Sequence, residues 1–182
     1  MNTNKWGNTG AYSFSVNNML DITGGSDNNI GLYSTTSFTD PYIIDAEANY
    51  GISDDMGIWW NIQTSGSTSS NTNLWAIRGT GDDNLYTGNP APSSFTQYGN
   101  SNPTGDGNWH IYTLISGPDN NPVITQRDYS TYIDENNFPN SYLSGYIGPR
   151  YSSGSYAEYY WINARAYPPN GVMPSVSFGS VS

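Results

Sequence analysis

Short stretches in which apolar and polar residues alternate, cut by clusters of Gly, Asn, Asp and Pro, recur along the chain and leave no sustained helical period. Alternation at period two is what a strand with one buried face requires, because successive side chains point to opposite faces. From Tyr42 to Tyr50, Ile44, Ala46, Ala48 and Tyr50 point one way and Asp45, Glu47 and Asn49 the other. From Met56 to Gln63, Met56, Ile58, Trp60 and Ile62 form an apolar side opposite Trp59, Asn61 and Gln63. Trp109, Ile111, Thr113 and Ile115 alternate with His110, Tyr112 and Leu114. In the string Tyr156 to Tyr167, Tyr160, Ile162, Ala164 and Ala166 are expected to pack beneath a second sheet. Tyr159, Trp161, Asn163, Arg165 and Tyr167 occupy the other face.

Shorter strands are expected at Ala11–Val16, Ile30–Ser34, Asn73–Arg78, Phe95–Tyr98, Tyr142–Ile147 and Val172–Val181. Another is expected at Val123–Asp128, continued by Tyr129–Ile133, and residues 87–108 read as a long surface loop around Phe95–Tyr98. About ten short strands without helices predict an all-β, two-sheet antiparallel sandwich.

A length of 182 residues suits one domain that buries about 70 % of its unfolded surface. That domain is expected to span the whole chain, residues 1–10 forming a flexible arm. The chain has no cysteine and one histidine, His110, so disulfides and thiolate or His-cluster zinc sites are excluded. A formal net charge of −10, with Lys5, Arg78, Arg127, Arg150 and Arg165 as the sole Lys and Arg residues, repels phosphate backbones and anionic membranes. Nucleic acid and direct membrane insertion are therefore not expected, and no stretch approaches the roughly 20 apolar residues of a membrane span. A chain poor in Lys and rich in Tyr, Asn, Ser and Thr fits an exported or cell-surface β-protein.

Three constellations carry chemistry. Trp59 and Asn61, with Trp161, Asn163 and Arg165, combine flat rings with hydrogen-bonding heads, which suits a neutral glycan if their strands share one sheet. Asp82, Asp83 and Asp119 sit in turn clusters with the oxygen donors that a structural Ca²⁺ requires, although Asp and Asn gather in turns for backbone reasons as well. No cofactor is otherwise required. Glu47 and Glu158 are the carboxylates a glycoside hydrolase would use, but Glu158 shares parity with Ile162 and Ala164 and is expected to point toward the buried side. A lone strand histidine such as His110 reads as a hydrogen-bonded structural residue.

Several strings look like the concanavalin A-like, laminin-G-like jelly-roll modules of archaeal and bacterial surface proteins. They are Tyr42–Ala48, Gly57–Trp60, Asn108–Tyr112, Tyr146–Pro149, Tyr159–Tyr167 and Pro174–Gly179, spread over roughly residues 40–180. The resemblance implies a concanavalin A-like jelly roll, a fold that hosts lectins, adhesins, glycanases and structural subunits alike. In relatives with bound calcium the ion is commonly structural, on the convex side or at the sandwich edge. The expected function is a non-catalytic extracellular carbohydrate-binding or adhesion module. The alternatives are a subunit of an extracellular filament, sheath or virion that binds neighbouring surface-protein subunits, and a glycoside hydrolase.

Overall fold

The computed structural model describes residues 3–23, 29–51, 55–79, 83–89, 94–101, 105–117, 123–139, 141–151 and 157–168. A 3₁₀ turn at Thr3–Lys5 leads into strands β1 (Trp6–Asn8), β2 (Ser13–Asn17), β3 (Met19–Thr23), β4 (Leu32–Ser34) and β5 (Phe38–Thr39). The longer strands β6 (Tyr42–Tyr50), β7 (Asp55–Ile62), β8 (Thr72–Arg78), β9 (Asp83–Asn89) and β10 (Ser94–Ser101) follow. The chain continues through β11 (His110–Ser116), β12 (Val123–Arg127), β13 (Ser130–Glu135), β14 (Ser144–Tyr151) and β15 (Ala157–Ala166).

Two antiparallel sheets result. One runs β10-β9-β8-β7-β14-β5 and the other β13-β12-β11-β6-β15-β3-β2, while β1 pairs with β4. The expected two-sheet sandwich is therefore present. Its core is the apolar side of the alternating runs: Ile44, Ala46, Ala48 and Tyr50 from β6 and Tyr112 and Leu114 from β11 meet Met56, Ile58 and Trp60 from β7 and Trp75 and Ile77 from β8. Ring contacts hold this layer, with Trp75 edge-on to Tyr112 at 5.9 Å and Trp60 against Phe138 at 5.5 Å.

Three local readings are corrected. Residues 6–8, expected in the flexible arm, pair with β4, Trp6 opposite Ser34. Residues 87–108 are not chiefly loop, because β9 and β10 make a hairpin there, Ser94 opposite Asn89. Residues 123–133 are not one strand: Asp128 and Tyr129 adopt φ of 50° and 67°, which folds β13 back on β12. Such left-handed backbone is what a tight hairpin turn requires, and Asp tolerates it. The strand expected over Val172–Val181 lies outside the described residues.

Two strands break the period-two rule, and both breaks relocate site candidates. In β7, Asn61 has φ of 53° and a register shift separates Trp59 from Ile62 against β14. Ile62 consequently leaves the inter-sheet core and joins Trp59 on the opposite face. In β15 a bulge at Tyr160 falls between Tyr159, opposite Ala48, and Trp161, opposite Glu47. Tyr159 thereby points inward and Tyr160 outward, the reverse of the expected arrangement. The inward Tyr159 hydroxyl lies 2.8 Å from the Gly57 carbonyl oxygen and 2.7 Å from that of Arg150, its single proton shared between them, and accepts from the Gly57 N–H (3.3 Å), bolting one sheet to the other. Burial pushes that phenol far above its ordinary pKa, so it acts as a permanent donor. Gly57 belongs at this junction because a Cβ there would come 2.2 Å from the Trp75 carbonyl oxygen.

Candidate functional site on the outer face of the seven-stranded sheet

Of the five expected contact residues, the structure keeps Trp161, Asn163 and Arg165 together on the outward face of β15 and separates Trp59 and Asn61 from them. Trp59 stands in the other sheet, fully buried and stacked on Phe95 at 6.2 Å. Asn61 is also fully buried. Its side-chain amide donates to the Tyr142 carbonyl oxygen (2.6 Å) and Asp40 Oδ2 (3.1 Å), and its Oδ1 accepts the Tyr42 hydroxyl (2.8 Å). Asn61 thus ties the β5–β6 connection to the chain entering β14. The expected shared face failed because Trp59 and Trp161 belong to different sheets.

The outward face of β15 and β6 carries a cross-strand ladder of polar contacts. The Trp161 indole N–H donates to Glu47 Oε2 at 2.8 Å, and Arg165 Nε donates to Asp45 Oδ2 at 2.6 Å. Asp45 Oδ1 accepts Thr113 Oγ1 from β11 at 2.7 Å. Asn49 Nδ2 donates to Glu158 Oε2 at 3.4 Å, and on β3 Asp21 Oδ2 accepts Ser15 Oγ at 2.9 Å. Glu158 is therefore outward, contrary to its sequence parity, because the bulge at Tyr160 resets the alternation between it and Ile162. Glu47 and Glu158 share one face. Burial, then repulsion from Asp21, raises the Glu158 carboxyl above its usual range.

Two rings missed as contact candidates complete the face. Trp109, just before β11, is 39 % exposed, and Tyr160 is 52 % exposed; their rings meet edge to face at 6.4 Å. The contact spans β6, which lies between β11 and β15. Bulges re-aim side chains, and this one turns Tyr160 to solvent. The sequence carried no mark of the bulge itself; its one hint was a run of three aromatic residues, Tyr159-Tyr160-Trp161, too many for one side of a strand.

Alongside β15, β3 pairs only with Ala157–Tyr159, and none of the described strands continues that pairing past Tyr159. A cleft of about 520 Å³ opens there, with Trp6 and Phe38 on one side and Trp161, Ile162 and Asn163 on the other; Lys5 and Thr36 add polar groups. Trp161 thus lines the cleft and hydrogen-bonds to the open face.

His110 is held between two carboxylates, its Nδ1 2.6 Å from Asp128 Oδ2 and its Nε2 3.0 Å from Asp106 Oδ1. Hydrogen bonds from backbone and His110 outweigh desolvation and bring Asp106 down to about 2; Asp128 is also lowered. The expected structural role fits this geometry. Of the expected calcium ligands, Asp82 and Asp119 lie outside the described residues, and Asp83 opens β9 with its side chain undescribed. Among the described residues no three His, Cys, Asp or Glu side chains group about a common point. No helix among them is long and apolar enough to cross a membrane.

No protein-family model matches the sequence, and no curated protein sequence is similar to it. Solved structures do match in fold. The carbohydrate binding module CBM66 from Bacillus subtilis superposes with a TM-score of 0.71 at 8 % identity, over 89 % of this chain and 96 % of that one. The carbohydrate recognition domain of Emp46p, in a potassium-bound form, gives 0.67 at 12 % identity over 93 % and 90 %. A glycoside hydrolase family 16 endo-glucanase from Bacteroides ovatus gives 0.53 at 14 % identity over 85 % of each chain. The chain therefore has the concanavalin A-like jelly-roll fold that its sequence resembled, a fold found in carbohydrate-binding proteins.

Proposed function

We propose that this protein is a non-catalytic, extracellular carbohydrate-binding module whose neutral glycan lies across the outer face of the seven-stranded sheet. Trp161, Asn163 and Arg165 are contacts, and Trp109 and Tyr160 extend the platform. The observation that carries the reading is the exposed Trp109–Tyr160 ring pair, set beside Trp161 on a face whose other side chains are hydrogen-bonding heads. Pyranose rings stack their C–H faces on such aromatics, while hydroxyls exchange hydrogen bonds with amides and carboxylates. The adjoining cleft gives a longer chain a place to continue past Trp161. The similarity in fold to a carbohydrate binding module and a carbohydrate recognition domain supports the same reading. Tryptophan fluorescence titration against a panel of neutral polysaccharides tests it. Saturable binding that Trp161→Ala and Trp109→Ala each weaken is the expected result; no binding to any member of the panel overturns it.

A second reading, a glycoside hydrolase, is favoured by one observation: Glu47 and Glu158 lie on the same face of neighbouring strands, two register positions apart. The raised Glu158 carboxyl has the character of a general acid. New reducing ends released from a bound polysaccharide, and lost in Glu158→Gln, would select this reading; binding without turnover rejects it.

A further inference from the structure

The cleft beside the platform differs in chemistry from the open face. Its volume of about 520 Å³ falls within the ~300–1,000 Å³ of small-molecule sites. Trp6, Phe38, Ile147, Ile162 and Ala164 wall it, and Trp161 stands where it joins the platform. Ile147 and Ile162 belong to the main core, and Trp6, Phe38 and Ala164 pack against it. Ser34 is the polar side chain buried among them, and its proton is already used. Its Oγ donates to the Thr36 carbonyl oxygen at 2.7 Å and accepts the Ile147 N–H at 3.1 Å. Lys5, Thr36 and Asn163 also line the cleft and are exposed, so they form its rim. The cleft is apolar within and polar at its mouth.

We infer that this cleft is a specificity pocket for an N-acyl substituent, so that the glycan held on the platform carries acetamido sugars. A bare sugar ring does not suit the interior: each hydroxyl carried in would give up water and meet rings and aliphatic chains instead of a hydrogen-bond partner. An acetamido group divides as the cleft does. Its methyl goes to Trp6, Phe38 and Trp161, and its amide stays at the rim. There the Lys5 ammonium or Thr36 hydroxyl can donate to the amide oxygen, and the Asn163 carbonyl can accept its N–H. An anionic substituent is disfavoured, because Glu47 and Asp45 lie opposite Trp161 and Asn163. The inference rests on the platform reading, to which it adds the class of sugar.

The test titrates the protein calorimetrically with cellopentaose and chitopentaose. These are linear chains of the same linkage and length, and they differ only in carrying a hydroxyl or an acetamido group on each ring. Chitopentaose should bind about tenfold tighter or more, the discrimination that an added carbon group brings in an apolar pocket. By NMR on the parent protein, saturation transfer should reach its acetyl methyl protons most strongly, and the cleft rings should shift them upfield. Phe38→Ala, with the thermal midpoint as its folding control, should bring the two affinities together. Trp109→Ala, on the platform, should weaken both and keep their ratio. Equal affinities in the parent, or methyl protons saturated no more than the sugar ring protons, overturn the inference and leave the platform standing. Chitopentaose that fails to bind while another neutral polysaccharide binds does the same. Failure of every glycan overturns the pocket and the platform together.

Discussion

The two outer faces of this sandwich are built from the same kinds of residue and meet opposite fates. On the six-stranded sheet, Trp59, Ile62, Leu74 and Ala76 lie beneath Ile30 and are packed by Tyr33, Tyr86, Phe95 and Tyr146. On the seven-stranded sheet, Trp161 keeps its edge accessible, its N–H is given to Glu47, and Trp109 and Tyr160 stand in solvent. The Trp59 N–H, by contrast, is buried with no acceptor. A ring flanked by amides in a strand therefore does not by itself mark a ligand surface. What marks one is whether the fold lays other chain segments over it, and that depends on strand order.

The sharpest way to break this comparison is to truncate one ring on each face. Trp59→Ala empties a fully buried, stacked site and should cost about 3–5 kcal/mol, read from urea unfolding. Trp59→Phe keeps most of the packing and removes the orphaned N–H, so it should cost far less. If Trp59→Ala cost no more than Trp161→Ala, the covered face would not be a second core. Next in size is Asn61→Ala, which strands the Tyr142 carbonyl oxygen and the Tyr42 hydroxyl and should cost about 1–3 kcal/mol. Neither change touches the proposed platform. Glycan binding by the folded fraction should stay at the parent value.

On the open face the order reverses. Trp109→Ala and Tyr160→Ala remove exposed rings and should change stability by about 0.5 kcal/mol or less. Each should still weaken glycan binding measurably, since base-rate losses for a stacked sugar contact come from the ring rather than the fold. A stability loss comparable to that of Asn61→Ala would mean that these rings are packing residues, and the distinction between the faces would fail.

The fold was legible because it rests on alternation, and β6 shows why: Ile44, Ala46, Ala48 and Tyr50 enter the core as their parity predicts, and Asp45, Glu47 and Asn49 do not. Asn163 and Arg165 also fell on the expected face. The site was legible only in part, for two physical reasons. One residue of left-handed backbone at Asn61 inverts Ile62 after it, and one extra residue at Tyr160 inverts the positions before it, so Ile62, Glu158 and Tyr159 lie on the faces opposite to those expected. Register shifts of this kind are set by partners far away in sequence, such as Gly57 of the opposite sheet, which the Tyr159 hydroxyl reaches. Whether Trp59 and Trp161 share a sheet likewise depends on strand order, which local alternation does not encode.

The smallest expected effect concerns the edge where the open face turns toward the loop before β11. His110 clasps Asp106 of that loop to Asp128 of the β12–β13 hairpin, and Trp109 is its immediate neighbour. Asp106 ionises near 2 and Asp128 is also lowered in the folded protein, whereas unfolded aspartates titrate near 3.9. A carboxyl with a depressed folded-state value stabilises above the unfolded value and loses that contribution as pH falls through the folded one. The clasp should therefore hold at pH 5 and release progressively between about 4 and 2. Both carboxylates are substantially solvent-exposed, 42 % for Asp106 and 52 % for Asp128, so screening keeps the total gain to about 1 kcal/mol or less. His110→Asn removes the imidazole that bridges the two carboxylates while keeping a polar side chain. It should move the Asp106 and Asp128 carboxyl titrations, followed by NMR, back toward the ordinary value. The same variant should narrow the stability difference between pH 5 and pH 2 without altering the unfolding of the Trp59 face. Carboxyl titrations that stay where they are in His110→Asn would show that backbone N–H donors, from Asn108 and Ile111, hold these aspartates unaided.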